Sequence, residues 1–391
     1  MNTNSIPQDV TSLLQSMVQI PSVNPAACGN PTSESRLLEH NQRLAESMGF
    51  KTKHLPIKDR AGNLLITHRV NDSDHWLLFE SHMDTVSEKG MVVDPFGGMV
   101  EDDKLFGRGS CDTKGTGAAM LWAMYQYAKQ DQQANNIALL FAQDEEYGMT
   151  GVRYFIKDHL PTLNMKLRGV IVGEPTMCRP IYAHNGCLRV VIKTKGRSAH
   201  SSTPHLGHSA ISDMVRIVDL LESQYIPSLN ATHEMTGKAQ ASINLITGGS
   251  QINIIPDSCE IQMDRRIVPG EEPRAVYGQI STLLEENLPG LDWQMDSSFL
   301  TPPLPPALDK TLLHTVQKVL DVIGLDSKPL GAAYATDAGD LGSNGIPTLV
   351  LGPGDIAQAH TKDEWISLEQ LQLGVSVYQK IMSSDLNKSA L

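Results

Sequence analysis

Short apolar runs alternate with longer amphipathic stretches along the first half of the chain. The runs predict buried strands, and the stretches, whose apolar residues recur with a helical period, predict helices. The predicted strands span 75–81, 137–143 and 167–173, and the predicted helices span 10–19, 36–49, 113–130 and 151–160. Because strands and helices alternate, we expect an α/β domain with a mostly parallel sheet that carries helices on both faces.

The pattern changes near residue 180, where the predicted strands begin to alternate apolar and polar positions. From there the order is strand, helix, strand, strand, helix, strand, over 187–196, 209–224, 241–249, 252–267, 273–288 and 291–298. This order predicts a ferredoxin-like α+β unit. A proline-rich segment at 301–307 follows, and the α/β pattern then resumes with a helix at 311–324, a strand at 346–352 and a helix at 367–384.

The ferredoxin-like unit is therefore predicted to be inserted into the α/β domain. The chain has 391 residues, a length that suggests about two domains. We predict that residues 1–179 and 299–391 form the two parts of a catalytic domain and that residues 180–298 form the inserted domain.

The composition narrows the classes of function. Lys and Arg total 32 and Asp and Glu total 44, and the net charge of −12 argues against a nucleic-acid partner, which usually requires a basic face. No apolar run reaches the roughly 18 residues of a membrane span, and the polar N-terminus lacks a signal-peptide pattern, so we expect a cytoplasmic protein without a membrane partner. The five scattered cysteines, without a C-x-x-C pair, indicate reduced structural thiols.

Acidic or histidine-bearing motifs follow the predicted apolar strands. In chain order they are His82-Met83-Asp84 after 75–81, Asp112 just before the helix at 113–130, Asp144-Glu145-Glu146 after 137–143, and Glu174-Pro175-Thr176 after 167–173. In open α/β sheets, ligands bind beyond the carboxyl ends of the strands. Carboxylates gathered at such an edge repel one another unless a cation lies among them, so the motifs indicate a metal site.

A second histidine completes the candidate ligands. His360 lies a short loop beyond the predicted strand at 346–352, and the set is then His82, Asp112, Glu146, Glu174 and His360. Nitrogen and oxygen donors without a thiolate favour catalytic zinc, with cobalt or manganese as alternatives. We predict two divalent ions, which can share one water and lower its pKa.

The adjacent glutamates suggest two separate roles. Neighbouring side chains on extended backbone point in opposite directions, so one of Glu145 and Glu146 can bind metal while the other faces the water as a general base. Asp84 lies two residues after His82, on the same side of a strand. Its carboxylate can therefore hold the far nitrogen of His82.

Seven motifs together resemble the M20 metallopeptidase/deacylase family, most of all its acetylornithine deacetylase and succinyl-diaminopimelate desuccinylase branch. The motifs are SHMDTV, GRGSCDTKG, DEEYG, GEPT, GRSAHSSTP, GGSQINIIPDSCEIQMDRR and LGPGDIAQAHTKDEW, in the family's order over nearly the whole chain. The resemblance implies a two-metal amidohydrolase that cleaves the amide of an N-acyl amino acid by a metal-bridging hydroxide. It also implies that the inserted domain is a lid and the dimerisation domain of a homodimer.

The resemblance assigns the metal ligands to two sites. It implies that His82, Asp112 and Glu174 bind one metal and that Asp112, Glu146 and His360 bind the other, with Asp112 bridging the two. It further implies a cis peptide bond after Asp112.

The remaining roles also come from the resemblance. Glu145 would be the general base, and Asp84 would support the histidine two residues before it. His200 would reach the active site of the other subunit and polarise the scissile carbonyl. Asn253 and Arg266 would grip a substrate carboxylate, a task that suits the fork of an arginine.

Departures from the family pattern leave the substrate open. Ser81 and Ser87 stand where glycine and proline are usual, and Ala335 stands where related enzymes often carry a polar side chain. The same chemistry suits a metallo-carboxypeptidase or dipeptidase that takes a short peptide. A non-catalytic metal-binding or amino-acid-binding protein would not need Glu145, and a purely structural oligomer would not need the ligand set.

Overall fold

The computed structural model describes residues 6–386. The α-helices are α1 (Val10–Val18), α2 (Pro25–Cys28), α3 (Ser35–Ser47), α4 (Lys114–Tyr127), α5 (Thr150–Tyr154), α6 (Ala210–Leu220), α7 (Ile226–Ser228), α8 (Pro273–Asn287), α9 (Thr311–Ile323), α10 (Ala338–Ser343) and α11 (Leu368–Ser383). No helix within residues 6–386 is long and apolar enough to cross a membrane.

The β-strands also follow chain order. They are β1 (Lys51–Leu55), β2 (Asn63–His68), β3 (His75–His82), β4 (Val100–Glu101), β5 (Lys104–Phe106), β6 (Asn136–Ala142), β7 (Lys166–Val172), β8 (Ile181–His184), β9 (Gly186–Lys195), β10 (Thr232–His233), β11 (Gly237–Lys238), β12 (Gln240–Gly248), β13 (Ser258–Ile267), β14 (Trp293–Thr301), β15 (Leu330–Ala332), β16 (Thr348–Val350) and β17 (Trp365–Ser367).

The chain divides into two compact units. The first contains the described residues up to Tyr182, Pro306–Leu330 and those from Thr336 onward, and the second contains Ala183–Pro305 and Gly331–Ala335. The second unit interrupts the first in sequence, which is the arrangement that an inserted domain produces.

A mixed, mostly parallel sheet contains most strands of the first unit. Its order is β1-β2-β6-β3-β7-β16-β8-β15, and the central pairs β6–β3, β3–β7 and β7–β16 are parallel. The edge strand β1 runs antiparallel to β2, and β2 runs antiparallel to β6; neither strand was predicted from the sequence. β1 is a short, mostly exposed strand with the sequence KTKHL, so it lacks the apolar run that marks a buried strand.

The central strands are buried on both faces. Every residue of β3 after His75 is buried, as is every residue of β6. This pattern is expected of parallel strands with helices on both faces. Helix α4 packs against β3 and β6, and Gly117 allows the close approach, since a Cβ there would lie 2.7 Å from the ring of Phe141.

The second unit has a ferredoxin-like fold, as predicted. Its antiparallel sheet has the order β12-β13-β9-β14, and α6 and α8 share a core with the alternate apolar residues of β9 and β13. Val190 and Ile192 of β9 and Ile261 and Met263 of β13 belong to this core. The alternation of buried and exposed residues along β9 is typical of a sheet with one covered face.

Several elements differ from their predicted bounds, and three of them show why. The strand predicted over 252–267 begins at Ser258, because a loop containing Pro256 precedes it and proline cannot donate to a strand ladder. The strand predicted over 137–143 ends at Ala142, before a turn. The helix predicted over 151–160 is an α-helix only to Tyr154 and continues as a π-helical turn.

Candidate metal centre

His82 is the last residue of β3, and its imidazole is buried with 3% exposure. Its Nε2 atom lies 3.2 Å from Oδ1 of Asp112 and 3.9 Å from Oε1 of Glu174. Glu174 lies two residues past β7, which is the parallel neighbour of β3. Both side chains therefore reach the same edge of the sheet, where ligands bind in open α/β folds.

Asp112 lies between two histidines. It precedes α4, and its peptide bond with Thr113 is cis, as the resemblance implies. One carboxylate oxygen faces His82, and the other, Oδ2, lies 3.2 Å from Nε2 of His360. A single carboxylate thus presents each of its oxygens to a different imidazole, which is the arrangement expected of a bridging ligand.

The fifth predicted ligand, Glu146, joins the same cluster. Its Oε1 atom lies 3.2 Å from Nε2 of His360. His82, Asp112 and Glu146 each offer one ligand atom, and these three atoms lie within 4.8 Å of one another. His360 is the most accessible ligand, since 52% of its side chain is exposed. The structure therefore brings all five predicted ligands into one connected group.

The pKa values of the five predicted ligands depend on one another, because their side chains are in contact. Burial would raise the pKa of Asp112, but hydrogen bonds with His360 and His82 outweigh burial and hold that pKa well below its usual range. The same contact with Asp112, followed by that with Glu146, raises the pKa of His360 to about 10. The carboxylates thus favour positive charge at the positions of the imidazoles. A divalent ion would supply that positive charge without the protons.

The pKa values of Glu174 and Glu146 shift in the opposite direction from that of Asp112. Burial is the main cause that raises the pKa of Glu174 well above its usual range, and repulsion from Asp112 adds to it. Burial likewise raises the pKa of Glu146. Buried acids of this kind gain from a nearby cation, because it restores the charged form that a metal ligand requires.

Glu145 lies in a turn and not on extended backbone. The turn follows β6, and Asp144 enters it with a positive φ of 57°. The premise that two extended neighbours point in opposite directions is therefore wrong here. The backbone N–H groups of Glu145 and Glu146 both donate to the Asp84 carboxylate, at 3.0 Å and 3.1 Å. One side chain therefore fixes the backbone that carries both glutamates.

Asp84 also contacts the imidazole that it was predicted to support. His82 Nδ1 lies 3.0 Å from the main-chain oxygen of Asp84 and 3.4 Å from its carboxylate Oδ1. Burial would raise the pKa of Asp84, but its hydrogen bond with His82 and other donors lower it below its usual range. The main-chain carbonyl is thus the nearer partner of the far imidazole nitrogen.

Asn24 is a site residue that sequence reasoning missed. Its side-chain amide donates to Asp84 Oδ2 at 2.6 Å and to Asp144 Oδ1 at 2.8 Å, and the residue is fully buried. Its own side-chain oxygen accepts from the N–H of Ala26 and caps α2. In the sequence, Asn24-Pro25 is an ordinary helix-start signal, so nothing there points to the site.

Two further buried carboxyl groups lie in the first unit near the ligands. Burial, with repulsion from Asp337 next, raises the pKa of Glu80 in β3 well above its usual range, and burial also raises the pKa of Asp337. Neither carboxylate oxygen of Asp337 has a hydrogen-bond partner within residues 6–386. The sequence analysis found no role for either residue, since Glu80 stands inside an apolar run.

The three predicted lid residues belong to the second unit. His200 and Asn253 lie on adjacent exposed loops. An isolated antiparallel β-bridge between His200 and Ile254 joins the two loops. Arg266 lies on β13, where its Nε atom lies 2.8 Å from Oδ1 of Asp264. Arg265 points to the opposite face of the same strand, where it is buried. Arg266 is thus the more accessible of the two adjacent arginines.

The sequence matches a known protein family and is similar to curated relatives. The model of peptidase family M20/M25/M40 matches residues 78–384. The acetylornithine deacetylase of Klebsiella pneumoniae (strain 342) is 29% identical over 390 residues, covering 93% of this chain and 94% of that protein.

Solved structures support the same fold. The M20 family metallo-carboxypeptidase Sso-CP2 from Sulfolobus solfataricus aligns with a TM-score of 0.82 at 16% identity, over 97% of this chain and 100% of that one. The YXEP protein of Bacillus subtilis, described as a dinuclear metal binding peptidase from the M20 family, aligns with a TM-score of 0.71 at 13% identity, over 96% of each chain.

Proposed function

We propose, from the premise that the chain belongs to peptidase family M20/M25/M40 and is a hydrolase of amide bonds, that it removes the acyl group of an N-acyl amino acid. The observation that carries the proposal is the position of Asp112. Its two oxygens each lie 3.2 Å from a different imidazole, of His82 and of His360, which supports a role for one carboxylate in binding two ions.

The donor chemistry fits a pair of divalent ions. We assign His82, Asp112 and Glu174 to one ion and Asp112, Glu146 and His360 to the other. All the donors are nitrogen or oxygen, which suits catalytic zinc, with cobalt or manganese as alternatives. The thiol of Cys111 does not enter the set, because it is buried and directed to the Asp355 carbonyl at 3.4 Å.

Glu145 is the proposed general base. Bound ions of this kind polarise a carbonyl oxygen and lower the pKa of a water molecule. Burial above all, with Glu174 and Glu146 adding to it, raises the pKa of Glu145 well above its usual range. A raised pKa suits a carboxylate that takes a proton from the attacking water and then gives it to the departing amine nitrogen.

His200 is proposed to donate a hydrogen bond to the scissile carbonyl oxygen. The backbone N–H of Ser202 donates to His200 Nδ1 at 3.2 Å, so Nδ1 is an acceptor. The neutral imidazole then carries its proton on Nε2. An Nε2–H group is the donor that developing charge on a carbonyl oxygen requires.

Asn253 and Arg266 are the proposed carboxylate-binding residues. The side chain of Arg266 is 35% exposed, and its guanidinium pairs with one carboxylate, that of Asp264. A substrate carboxylate can use the remaining N–H groups of the fork. Asn253 lies beside His200, since the N–H of Ser201 donates to the Asn253 carbonyl at 3.0 Å.

The test is a substrate screen on metal-stripped protein that has been reloaded with zinc, cobalt or manganese. N-acetylornithine, N-succinyl-diaminopimelate, other acyl-amino acids and short peptides are offered, and released amine is measured. Metal-dependent release from one acyl-amino acid is the expected result. Release from dipeptides alone would favour the carboxypeptidase or dipeptidase alternative, and tight binding of two ions without any release would favour a binding protein.

We also propose that the second unit forms a homodimer. β12 is an edge strand of its sheet, and Leu245 and Ile246 on it are exposed. Ile211 and Val215 on α6 are exposed as well, and Ile211 lies close to Gly248 at the end of β12. An exposed apolar edge of this kind favours association. Light scattering should give twice the mass of one chain, and a single-chain mass would contradict the proposal.

A further inference from the structure

Glu364 is a completely buried carboxylate that is surrounded by donors from one loop. The donors are Arg108 Nη1 at 2.7 Å, Gly109 N at 3.1 Å, Cys111 N at 3.0 Å and Asp112 N at 3.0 Å. The last of these is the backbone amide of the predicted bridging ligand. The carboxylate of Glu364 therefore fixes the backbone from which the Asp112 side chain extends.

The same residue also anchors the segment that carries His360. Glu364 lies four residues after His360, and its main-chain oxygen accepts from Gly107 N at 3.0 Å. The loop 107–112 and the segment 360–364 are thus joined through one residue by both its main chain and its side chain. These two segments provide Asp112 and His360, whose facing atoms lie 3.2 Å apart.

The buried ion pair with Arg108 does not by itself explain this arrangement. Arg108 is 3% exposed and also donates to the Ser87 carbonyl at 3.1 Å. Desolvation offsets much of the attraction in a buried pair, so such a pair is weak evidence of a stabilising role. Moreover, three of the four donors to Glu364 are main-chain amides of the loop, which an ion pair would not require.

The other metal ligands are positioned without Glu364. His82 ends β3 and Glu174 follows β7, so the sheet itself sets their places. Glu146 is placed by the turn that donates to Asp84. Of the two proposed ions, only the one bound by His360 depends on both segments that Glu364 joins.

We propose that Glu364 is a positioning residue that sets the distance between Asp112 and His360 and thereby completes the second metal position. The inference rests on the proposed two-metal function. It predicts a selective effect, in which loss of the Glu364 carboxylate weakens the binding of one ion and leaves the other in place. Residues that orient a metal ligand typically change metal affinity by about 10–100-fold when they are replaced.

The experiment is a calorimetric titration of the metal-stripped full chain with Zn²⁺. It compares the wild type with Glu364→Gln, which keeps the size of the side chain and removes its charge. The matched control is Glu369→Gln, at an exposed position of α11. We expect two ions on the wild type and the control, and on Glu364→Gln one ion of unchanged affinity and one weakened about 10–100-fold. The absorption spectrum of the Co²⁺-loaded protein should change for Glu364→Gln alone.

The outcomes separate this inference from the function on which it rests. Two ions of wild-type affinity on Glu364→Gln would overturn the positioning role and leave the proposed function standing, as would an equal weakening of both ions. A wild-type chain that binds fewer than two ions would overturn both. Should Glu364→Gln fail to fold, Glu364→Asp keeps the charge but is too short to reach both Arg108 and the Asp112 amide. It should show the same selective loss, and normal binding of both ions would overturn the role.

Discussion

The predicted metal ligands of the first unit and the predicted substrate-binding residues of the second unit are held in different ways. His82 and Asp112 are 3% and 7% exposed, and their facing atoms lie 3.2 Å apart. His200 and Asn253 instead lie on exposed loops, and Arg266 pairs with Asp264 two residues before it on the same strand. The predicted metal ligands contact one another within the first unit. The predicted substrate-binding residues of the second unit keep hydrogen-bond donors that a substrate can use.

This difference follows from what each group must do. Buried carboxylates need a fixed geometry, because an unpaired buried charge is strongly destabilising. Backbone amides therefore hold Asp84, and buried side chains hold the loops around it. A carboxylate-binding arginine must exchange one partner for another, and the ion pair of Arg266 with Asp264 is partly open to solvent, which weakens it. The following experiments test whether the metal ligands and the substrate-binding residues differ in this way.

The largest effect is expected for Glu145→Gln. This change removes the proton acceptor and keeps the shape of the side chain, so kcat should fall about 10²–10⁴-fold. Both ions should remain bound, because Glu145 is not among the proposed ligands. Steady-state kinetics and metal analysis check the two expectations, with Glu369→Gln as the control. Loss of metal, or near-normal kcat, would contradict the assigned role.

A large pH effect on stability is expected from the second unit. His184 is fully buried, and burial lowers its pKa to about 4 from an ordinary 6.5. Between these values the unfolded chain binds the proton and the folded chain does not. Stability should therefore fall as the pH drops from about 6.5 to about 4, by at most roughly 3 kcal/mol, and should not depend on this group above that range.

Chemical unfolding of the wild type and of His184→Gln at several pH values measures this contribution. The variant should lose part of the dependence on pH between about 4 and 6.5. His205→Gln, at an exposed position of the same unit, is the matched control. An unchanged slope in His184→Gln would contradict the assignment.

A moderate effect is expected for Arg266→Lys. The lysine keeps the charge but cannot offer two parallel N–H groups to one carboxylate. KM should rise about tenfold while kcat changes little, which corresponds to about 1.4 kcal/mol of binding free energy. Arg216→Lys on the exposed face of α6 is the control. A fall in kcat at constant KM would place Arg266 in the chemical step and weaken the contrast between the two regions.

The smallest effect is expected for Asn24→Ala. Its side chain touches no proposed ligand and acts by holding Asp84, whose carboxylate fixes the turn that carries Glu145. We expect kcat to fall about tenfold with KM and metal content unchanged, and stability to fall by about 1–3 kcal/mol because Asp84 and Asp144 lose a buried donor. Asn30→Ala, at an exposed position, is the control. A change confined to stability would assign Asn24 a structural role only.

The sequence could predict the candidate site residues that lie at the ends of apolar strands. The apolar run of β3 leads directly to His82, and a run of that kind has few alternatives to a buried parallel strand. The orientation of Glu145 and Glu146 could not be predicted, because Asp144 takes a left-handed conformation that no local pattern signals. The sequence also gave no reason to connect Glu364 with Asp112, since their contact joins positions 252 residues apart.

One carboxylate, that of Asp112, is proposed to join two metal positions. The most direct measurement is the number of zinc ions that remain per chain after equilibrium dialysis, for the wild type and for His360→Ala. We expect two ions on the wild type and one on the variant, since His360 faces only one oxygen of Asp112. A single ion on the wild type, or the loss of both ions from His360→Ala, would contradict it.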